Sequence, residues 1–303
     1  MRPSAVRWGL RREVMVEPRA DGGVDLLDPL YERIDHLDAA TVRALDAGEP
    51  GALEALDDRL LRESPVADAA RRAAWYARLR PEPCAPVVPR AELSGVAAAV
   101  AALGWGRAWR EPERWRRWVE AGRAGNLLLP LEGLLEPEHA AAALAQAEAL
   151  PLQPLRSAVV SANRAVVDDT VGGALGALRA LLGDPSTRVA VGAALGRSLT
   201  GPLHLNLWRL APGERMAVHP DGARYAGTVA IGLDREWTAG DGGAIAFGDP
   251  GPEGLVVRSR WLPHLGDALI FAPAAGTWHA VEPPVSRPRW TLSGWWFWPP
   301  DAP

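Results

Sequence analysis

Residues 216–222 read MAVHPDG, and the His-Pro-Asp string inside them decides how the rest of the chain is interpreted. In an extended strand, residues two apart face the same side, so His219 and Asp221 can point together into one cavity. His279, in the later string TWHAV, offers a third ligand. Two imidazoles and one carboxylate form the facial triad typical of non-haem Fe(II), which leaves coordination positions open for a chelating co-substrate and O2. The sequence therefore predicts an iron site at these three residues.

An arginine ten residues after His279 supplies a positive charge that can bind the end of a co-substrate away from the metal. If Arg289 lies on a strand next to the one carrying His279, its guanidinium can hold the far carboxylate of 2-oxoglutarate in a bidentate grip. The period-2 face that carries Arg289 also carries Thr291 and Trp295 in the string RWTLSGWW. We expect the Thr291 hydroxyl to share that carboxylate and Trp295 to wall the co-substrate.

From about residue 205 to residue 298, the chain resembles the catalytic core of the Fe(II)/2-oxoglutarate dioxygenases of prolyl-hydroxylase type. The resemblance rests on six strings in the family's order: LNLWRLAPGERMAVHPDG, YAGTVAIGLD, GGAIAF, LPHLGDALIFAP, TWHAVEPPV and RPRWTLSGWW. It implies four functional residues: the iron ligands His219, Asp221 and His279, and the 2-oxoglutarate ligand Arg289. Many relatives place a lysine where this chain has Arg289. Many also have a tyrosine where Trp208 stands, so Trp208 is expected either to line the pocket or to pack in the core.

The resemblance also implies a reaction, the hydroxylation of an unactivated C–H bond with Fe(II), 2-oxoglutarate and O2. Halogenating relatives lack the carboxylate ligand, so the presence of Asp221 favours hydroxylation. The expected substrate is a residue of a ribosomally made precursor peptide, and the alternative is a free amino acid or other small metabolite. A third hypothesis is a non-catalytic peptide-binding protein that has lost its chemistry, and the intact ligand set argues against it.

Composition limits the domain number, the partners and the cellular compartment that can be expected. The chain has 303 residues, 48% hydrophobic and 23% charged, which is long enough for two domains and a substantial core. Its formal net charge of -4 gives no electrostatic support for a nucleic acid or an anionic membrane as partner. Cys84 is the single cysteine, the first residues lack the apolar region of a secretory signal, and no apolar run is long enough to span a membrane. We expect a cytoplasmic protein.

Residues 1–64 form a predicted unit of their own. The strings REVMVEP, VDLLD and YERID predict three short strands, with ADGG as the turn of a hairpin between the first two. A short helix is predicted between the N-cap Asp38 and the stop signal Gly48, and a second from about Pro50 to Leu61. Three strands followed by helices form a winged-helix pattern.

This pattern is similar to the PqqD-like modules. In that family the module captures the leader of a precursor peptide, which adds as an extra strand at the sheet edge. An exposed edge strand permits this because its backbone groups are unpaired. The alternative is a small accessory domain that only packs against the oxygenase, and the acidic helices argue against DNA binding.

Residues 65–125 are interpreted as a helical linker region. The string ADAARRAAWYARLR predicts one helix, PEPCAPVVP is a proline-rich connection, and residues 93–123 predict two further helices. Four tryptophans in this region are expected to pack in a core rather than to bind a ligand: Trp105, Trp109, Trp115 and Trp118.

Residues 126–303 are interpreted as the oxygenase domain. An entry strand in LLLPL is followed by helices over Glu136–Ala149, about Thr170–Leu182 and Pro185–Leu199, with Asp184 as an N-cap. The strands that carry the four ligands come after these helices. The fold class is therefore α+β: a double-stranded β-helix (jelly roll) with flanking helices, preceded by a small winged-helix-like domain.

Overall fold

A computed structural model describes residues 8, 10, 14–28, 33–49, 51–56, 60–61 and 88–299, apart from 104, 157–158, 223, 236, 252–253, 263 and 275. The helix predicted for ADAARRAAWYARLR (67–80) lies outside the described residues. No helix in the described part of the chain is long and apolar enough to cross a membrane.

A three-stranded antiparallel sheet forms the N-terminal unit, with β1 (Met15–Pro18), β2 (Val24–Asp28) and β3 (Arg33–Leu37) joined in that order. The predicted hairpin is present, and Gly22 turns it with a φ of 84°, a left-handed conformation that favours glycine. Helix α1 (Ala39–Ala47) follows as predicted. It begins at Asp38, whose carboxylate accepts a hydrogen bond from the Thr41 N–H, and it ends at Gly48 with a φ of 68°.

The second helix predicted for this unit, from about Pro50 to Leu61, is wrong over its described part. Ala52–Ala55 form a 3₁₀ turn, and Leu56 is extended with a φ of -92° and a ψ of 137°. Leu53, which helical spacing placed on the buried face, is 51% exposed. Leu56 and Leu60 nevertheless belong to the core of the unit, in one cluster with Trp8 and Leu26. The described residues of this unit therefore lack the second helix of the winged-helix pattern.

Five helices precede the strands that carry the predicted metal ligands: α2 (Arg90–Ala102), α3 (Pro112–Arg123), α4 (Pro137–Ala149), α5 (Gly173–Gly183) and α6 (Pro185–Leu195). They match the predicted helices in number and order over this stretch. Asp184 caps α6 as predicted, since its carboxylate accepts a hydrogen bond from the Thr187 N–H. The four tryptophans of residues 105–118 are buried, and the rings of Trp109, Trp115 and Trp118 contact one another in sequence, so their predicted packing role is confirmed. One core contains residues of all five helices and the outer face of the main sheet.

The main sheet has eleven antiparallel strands. In chain order they are β4 (Leu128–Leu131), β5 (Gln153–Arg156), β6 (Val160–Val166), β7 (Leu203–Leu210), β8 (Arg215–His219), β9 (Tyr225–Gly232), β10 (Ile245–Gly251), β11 (Gly254–Trp261), β12 (Ala268–Phe271), β13 (Trp278–Val281) and β14 (Arg289–Phe297). Neighbouring strands follow the order β11-β10-β13-β8-β6-β7-β14-β9-β12-β4, and β5 pairs with β6. One half of the sheet therefore carries both histidine strands, the other half carries the arginine strand, and β6 joins them.

The sheet curls, so that its two halves face each other across a cavity. Phe247 on β10 and Phe271 on β12 lie in opposite halves, yet their ring centroids are 5.1 Å apart. Side chains alternate along each strand, so every second residue of β7, β9 and β14 points into the cavity and the others pack against the helices. This arrangement is a curled half-barrel of the jelly-roll type with flanking helices, as predicted from the sequence.

Candidate metal and co-substrate site

The cavity brings the three predicted metal ligands together. His219 ends β8 and pairs in register with His279 on β13, while Asp221 follows two residues after β8. The two imidazole centroids are 4.4 Å apart. One ligand atom from each of the three residues lies within 4.8 Å of the others. Two neighbouring strands and one loop thus place a 2-His-1-carboxylate set around one point.

Hydrogen bonds fix which nitrogen of each imidazole is available to a metal. Nδ1 of His219 lies 2.7 Å from the carbonyl oxygen of Ala217, and Nδ1 of His279 lies 3.0 Å from that of Thr277. A carbonyl oxygen only accepts, so each Nδ1 carries the proton and donates it. Nε2 of each ring then keeps its lone pair, which is the usual arrangement of metal-binding histidines.

The protonation state of His219 also supports metal binding by this residue. Burial, and after it the neighbouring His279, lowers the pKa of His219 well below its usual value. The imidazole is therefore neutral at neutral pH, as a metal ligand must be.

Asp221 is buried, and both of its oxygens have donors. The Thr228 hydroxyl donates to Oδ2 over 2.5 Å, and the Trp295 indole N–H donates to Oδ1 over 3.0 Å. Trp295 was expected to wall the co-substrate, and the structure places it in the cavity with its N–H on this carboxylate. Thr228 was missed, because a single threonine in the apolar strand YAGTVAIG carries no motif.

Arg289 lines the same cavity and is 1% exposed. Its Nε and Nη2 atoms have no hydrogen-bond partner among the described residues, and neither do Thr291 Oγ1 and Trp208 Nε1. Trp208 and Thr291 face each other across the β7–β14 pair. Buried polar atoms are nearly always hydrogen-bonded, so four orphans in one cavity indicate a missing polar ligand.

The charge and position of Arg289 suit an anionic ligand. Burial lowers the pKa of Arg289 to about 10, which still leaves the guanidinium positive at neutral pH. Gly243 gives the side chain its room: a Cβ added there would lie 2.9 Å from Cδ of Arg289. Neither the sequence motif nor its spacing pointed to Gly243.

A second residue missed by the sequence stands near the arginine. Asp234 is 5% exposed, and its two oxygens accept the Trp290 N–H at 3.0 and 2.8 Å. Burial raises the pKa of Asp234 to about 7, although the Trp290 N–H and the positive charge of Arg289 both act to lower it. Asp234 thus holds the backbone beside Arg289, and in its ionised form it places a negative charge near the guanidinium.

The remaining cavity wall is mainly apolar, formed by Met216, Ala230, Ile245, Phe271 and Val281. Such a wall, with a few convergent polar groups, is typical of small-molecule and cofactor sites. The polar groups of the cavity are of two kinds, the three metal-ligand candidates and the orphan donors of Arg289, Thr291 and Trp208.

Two solved structures resemble this fold. A prolyl-4-hydroxylase from Pseudomonas putida shares 19% sequence identity and a TM-score of 0.51, over 60% of this chain and 98% of that one. A prolyl hydroxylase from Trichoplax adhaerens, solved with a peptide fragment of the oxygen degradation domain of hypoxia inducible factor, shares 15% identity and a TM-score of 0.51, over 63% of this chain and 94% of that one. At these identities the likeness establishes the fold.

Residues 205–297 match the family model described as the 2OG-Fe(II) oxygenase superfamily. The matched segment spans β7 to β14 and holds all of the candidate ligands. A search of curated proteins found no match to the chain.

Proposed function

We propose that the catalytic domain, which is a 2OG-Fe(II) oxygenase and so works with Fe(II), 2-oxoglutarate and O2, holds its iron through His219, Asp221 and His279. The observation that carries this assignment is the mutual distance of their ligand atoms, all within 4.8 Å. The donor set fits the metal, because two neutral imidazoles and one carboxylate leave positions open for a chelating co-substrate and O2.

The co-substrate ligand in this proposal is Arg289, assisted by Thr291 and Trp208. 2-Oxoglutarate carries a second carboxylate far from its keto acid, and a guanidinium matches a carboxylate bidentately. The orphan atoms around Arg289 supply donors for the oxygens of that carboxylate: Arg289 Nε and Nη2, Thr291 Oγ1 and Trp208 Nε1. Binding of the co-substrate would therefore satisfy the buried groups that the protein leaves without partners.

The reaction we propose is hydroxylation of an unactivated C–H bond. One oxygen atom of O2 enters succinate, formed from 2-oxoglutarate with loss of CO2, and the other enters the product as a hydroxyl group. Bound Fe(II) supplies the redox chemistry that activates O2. The chain orients the imidazoles through the carbonyls of Ala217 and Thr277, fixes the co-substrate at Arg289 and excludes bulk water with its apolar wall.

The substrate we propose is a residue of a precursor peptide. The Trichoplax adhaerens enzyme was solved with a peptide fragment, which supports a peptide as the substrate here. In the N-terminal sheet β3 is an edge strand, with β2 as its sole partner among the described strands, and Ile34 on it is 37% exposed. An edge of this kind can pair with a leader peptide, which would raise the local concentration of the substrate.

Anaerobic absorption spectroscopy tests the metal and co-substrate assignment. Adding Fe(II) and then 2-oxoglutarate to the wild type should produce a visible metal-to-ligand charge-transfer band. Asp221→Ala should abolish the band, and Arg289→Ala should require much more 2-oxoglutarate to reach it. Arg209→Ala is a matched control, since Arg209 lies on β7 with its guanidinium over the Trp290 ring, on the other side of the sheet. A folded wild type that gives no band would contradict the assignment.

Hydrogen exchange tests the peptide assignment separately. Candidate precursor peptides should slow exchange of the backbone amides of β1 or β3, at the sheet edges, and should increase succinate formation. Stimulation of succinate formation by free amino acids, with no protection of either edge strand, would favour the small-metabolite alternative.

A further inference from the structure

The carboxylate of Asp221 lies between two side-chain donors, one on each oxygen. We infer that Thr228 and Trp295 are positioning residues, which fix the orientation of Asp221 and thereby set the metal affinity and the coordination geometry. This inference rests on the proposed function, because it takes Asp221 as an iron ligand. Under this inference Trp295 orients a metal ligand, whereas the sequence predicted that it would form part of the wall around the co-substrate.

The two donors are built into a single row of the sheet. Thr228 on β9 and Trp295 on β14 are register partners, so their side chains leave the same face side by side. Paired strands hold both Cα atoms in place, and the loop that carries Asp221 extends its carboxylate to this row. A donor pair on rigid strands can fix a ligand that itself sits on a loop.

Neighbouring rings hold the Trp295 indole in its orientation. The centroid of Trp295 lies 5.7 Å from that of Tyr225 and 6.3 Å from that of His204. Thr228 is only 4% exposed, so its hydroxyl is almost withdrawn from water, and Asp221 is the hydrogen-bond partner that the structure gives it. Each donor therefore has one defined acceptor.

The physical consequence concerns the freedom of the carboxylate. An aspartate without neighbours rotates about its last torsion and can offer a metal one oxygen or both. A hydrogen bond on each oxygen fixes the plane of the carboxylate and occupies one lone pair of each atom. Hydrogen-bond partners of metal ligands typically change metal affinity 10- to 100-fold when they are removed.

The test is a titration with Co(II), in the absence of 2-oxoglutarate, followed by its d–d absorption. Trp295→Phe removes the N–H and keeps an aromatic ring, and Thr228→Val removes the hydroxyl and keeps the shape. Each variant should bind Co(II) about 10- to 100-fold more weakly and change the d–d spectrum. Thr228→Ser keeps a hydroxyl and should restore most of the affinity.

A matched control separates positioning from general loss of structure. Trp296→Phe removes the hydrogen bond from the indole N–H to the Leu182 carbonyl, on the opposite face of the strand that carries Trp295. This variant should bind Co(II) within about twofold of the wild type, although it should melt at a lower temperature.

The outcomes distinguish this inference from the function on which it rests. Wild-type Co(II) affinity and spectrum in folded Trp295→Phe and Thr228→Val, with binding lost in Asp221→Ala, would overturn the inference alone. A wild type that does not bind Co(II), or an Asp221→Ala variant that binds it as well as the wild type, would overturn the proposed metal site as well. Should Trp295→Phe fail to fold, the Thr228 pair of Val and Ser variants decides.

Discussion

The two faces of the β7–β14–β9 sheet differ in how completely their groups are satisfied. On the face against the helices, Leu205 and Leu292 are buried, Trp296 donates to the Leu182 carbonyl, and a Cβ added at Gly294 would lie 2.1 Å from Leu205 Cδ2. On the cavity face of the same strands, Arg289, Thr291 and Trp208 keep buried polar atoms without partners. One face is filled, and the other is prepared for a ligand.

The difference shows how one strand can serve stability and function at once. Alternation along β14 assigns odd-numbered residues to the cavity and even-numbered residues to the helix-side core. Orphaned buried groups lower stability, so their concentration on one face indicates that a bound ligand satisfies them. Substitutions on the two faces should accordingly separate loss of cofactor binding from loss of stability.

The largest difference between loss of activity and loss of stability is expected for Asp221→Ala. The substitution removes a proposed metal ligand, so 2-oxoglutarate-dependent succinate formation should fall by more than about 100-fold, beyond the effect of losing a ligand's hydrogen-bond partner. The helix-side core is untouched, so the apoprotein should still fold, with its melting temperature lowered only by the loss of the hydrogen bonds from Thr228 and Trp295. Succinate detection and a thermal melt measure the two quantities. Activity above a tenth of the wild-type value would remove Asp221 from the metal site.

The next effect is that of Arg289→Ala on the co-substrate. Loss of a charged hydrogen-bonding partner costs about 1.5–3 kcal/mol, which corresponds to a rise of roughly 10- to 100-fold in the 2-oxoglutarate concentration needed for half-maximal turnover. Fe(II) affinity in the absence of 2-oxoglutarate should stay near the wild-type value. Equal loss of metal and co-substrate affinity would show that Arg289 instead supports the whole cavity.

Sequence patterns predicted those parts of the site that rest on local rules. The spacing of His219 and Asp221, the strand period that links Arg289 with Thr291, and the caps Asp38 and Asp184 all depend on a few neighbouring residues. The jelly-roll part of the fold prediction is confirmed for the same reason, because strand and turn signals follow one another in the order of that fold.

The parts that were missed depend on tertiary contacts. Thr228 meets Asp221 only after the chain has curled, and Gly243 matters because Arg289 passes beside it. The helix predicted from Pro50 to Leu61 had suitable apolar spacing, but short segments of this kind are ambiguous, and Leu56 and Leu60 are buried although Ala52–Ala55 form only a 3₁₀ turn. Spacing alone does not distinguish these outcomes.

A substitution on the filled face should show the opposite result to Arg289→Ala. Gly294→Ala places a methyl group against the Leu205 side chain and should lower the free energy of unfolding by about 1–3 kcal/mol, as overpacking usually does. The 2-oxoglutarate requirement of the folded fraction should not change. Denaturant unfolding and steady-state kinetics provide the two readouts. Gly243→Ala is the comparison, since its Cβ would press on Arg289 and should raise the 2-oxoglutarate requirement as well.

The smallest expected effect is a change in the pH dependence of stability, caused by Asp234. This residue accepts the Trp290 N–H at the beginning of β14. Burial raises the pKa of Asp234 from 3.8 to about 7, so the folded protein resists ionising a carboxyl that the unfolded chain ionises freely. The stabilisation from this group is complete below pH 3.8 and is lost as the pH rises through about 7. Asp234→Asn cannot ionise, and its amide oxygen can still accept the Trp290 N–H.

Between pH 6 and pH 7 the wild type should therefore lose about 1 kcal/mol more stability than Asp234→Asn, measured by denaturant unfolding at each pH. Parallel stability curves for the two proteins would show that Asp234 is already ionised at pH 6, with the positive charge of Arg289 outweighing its burial.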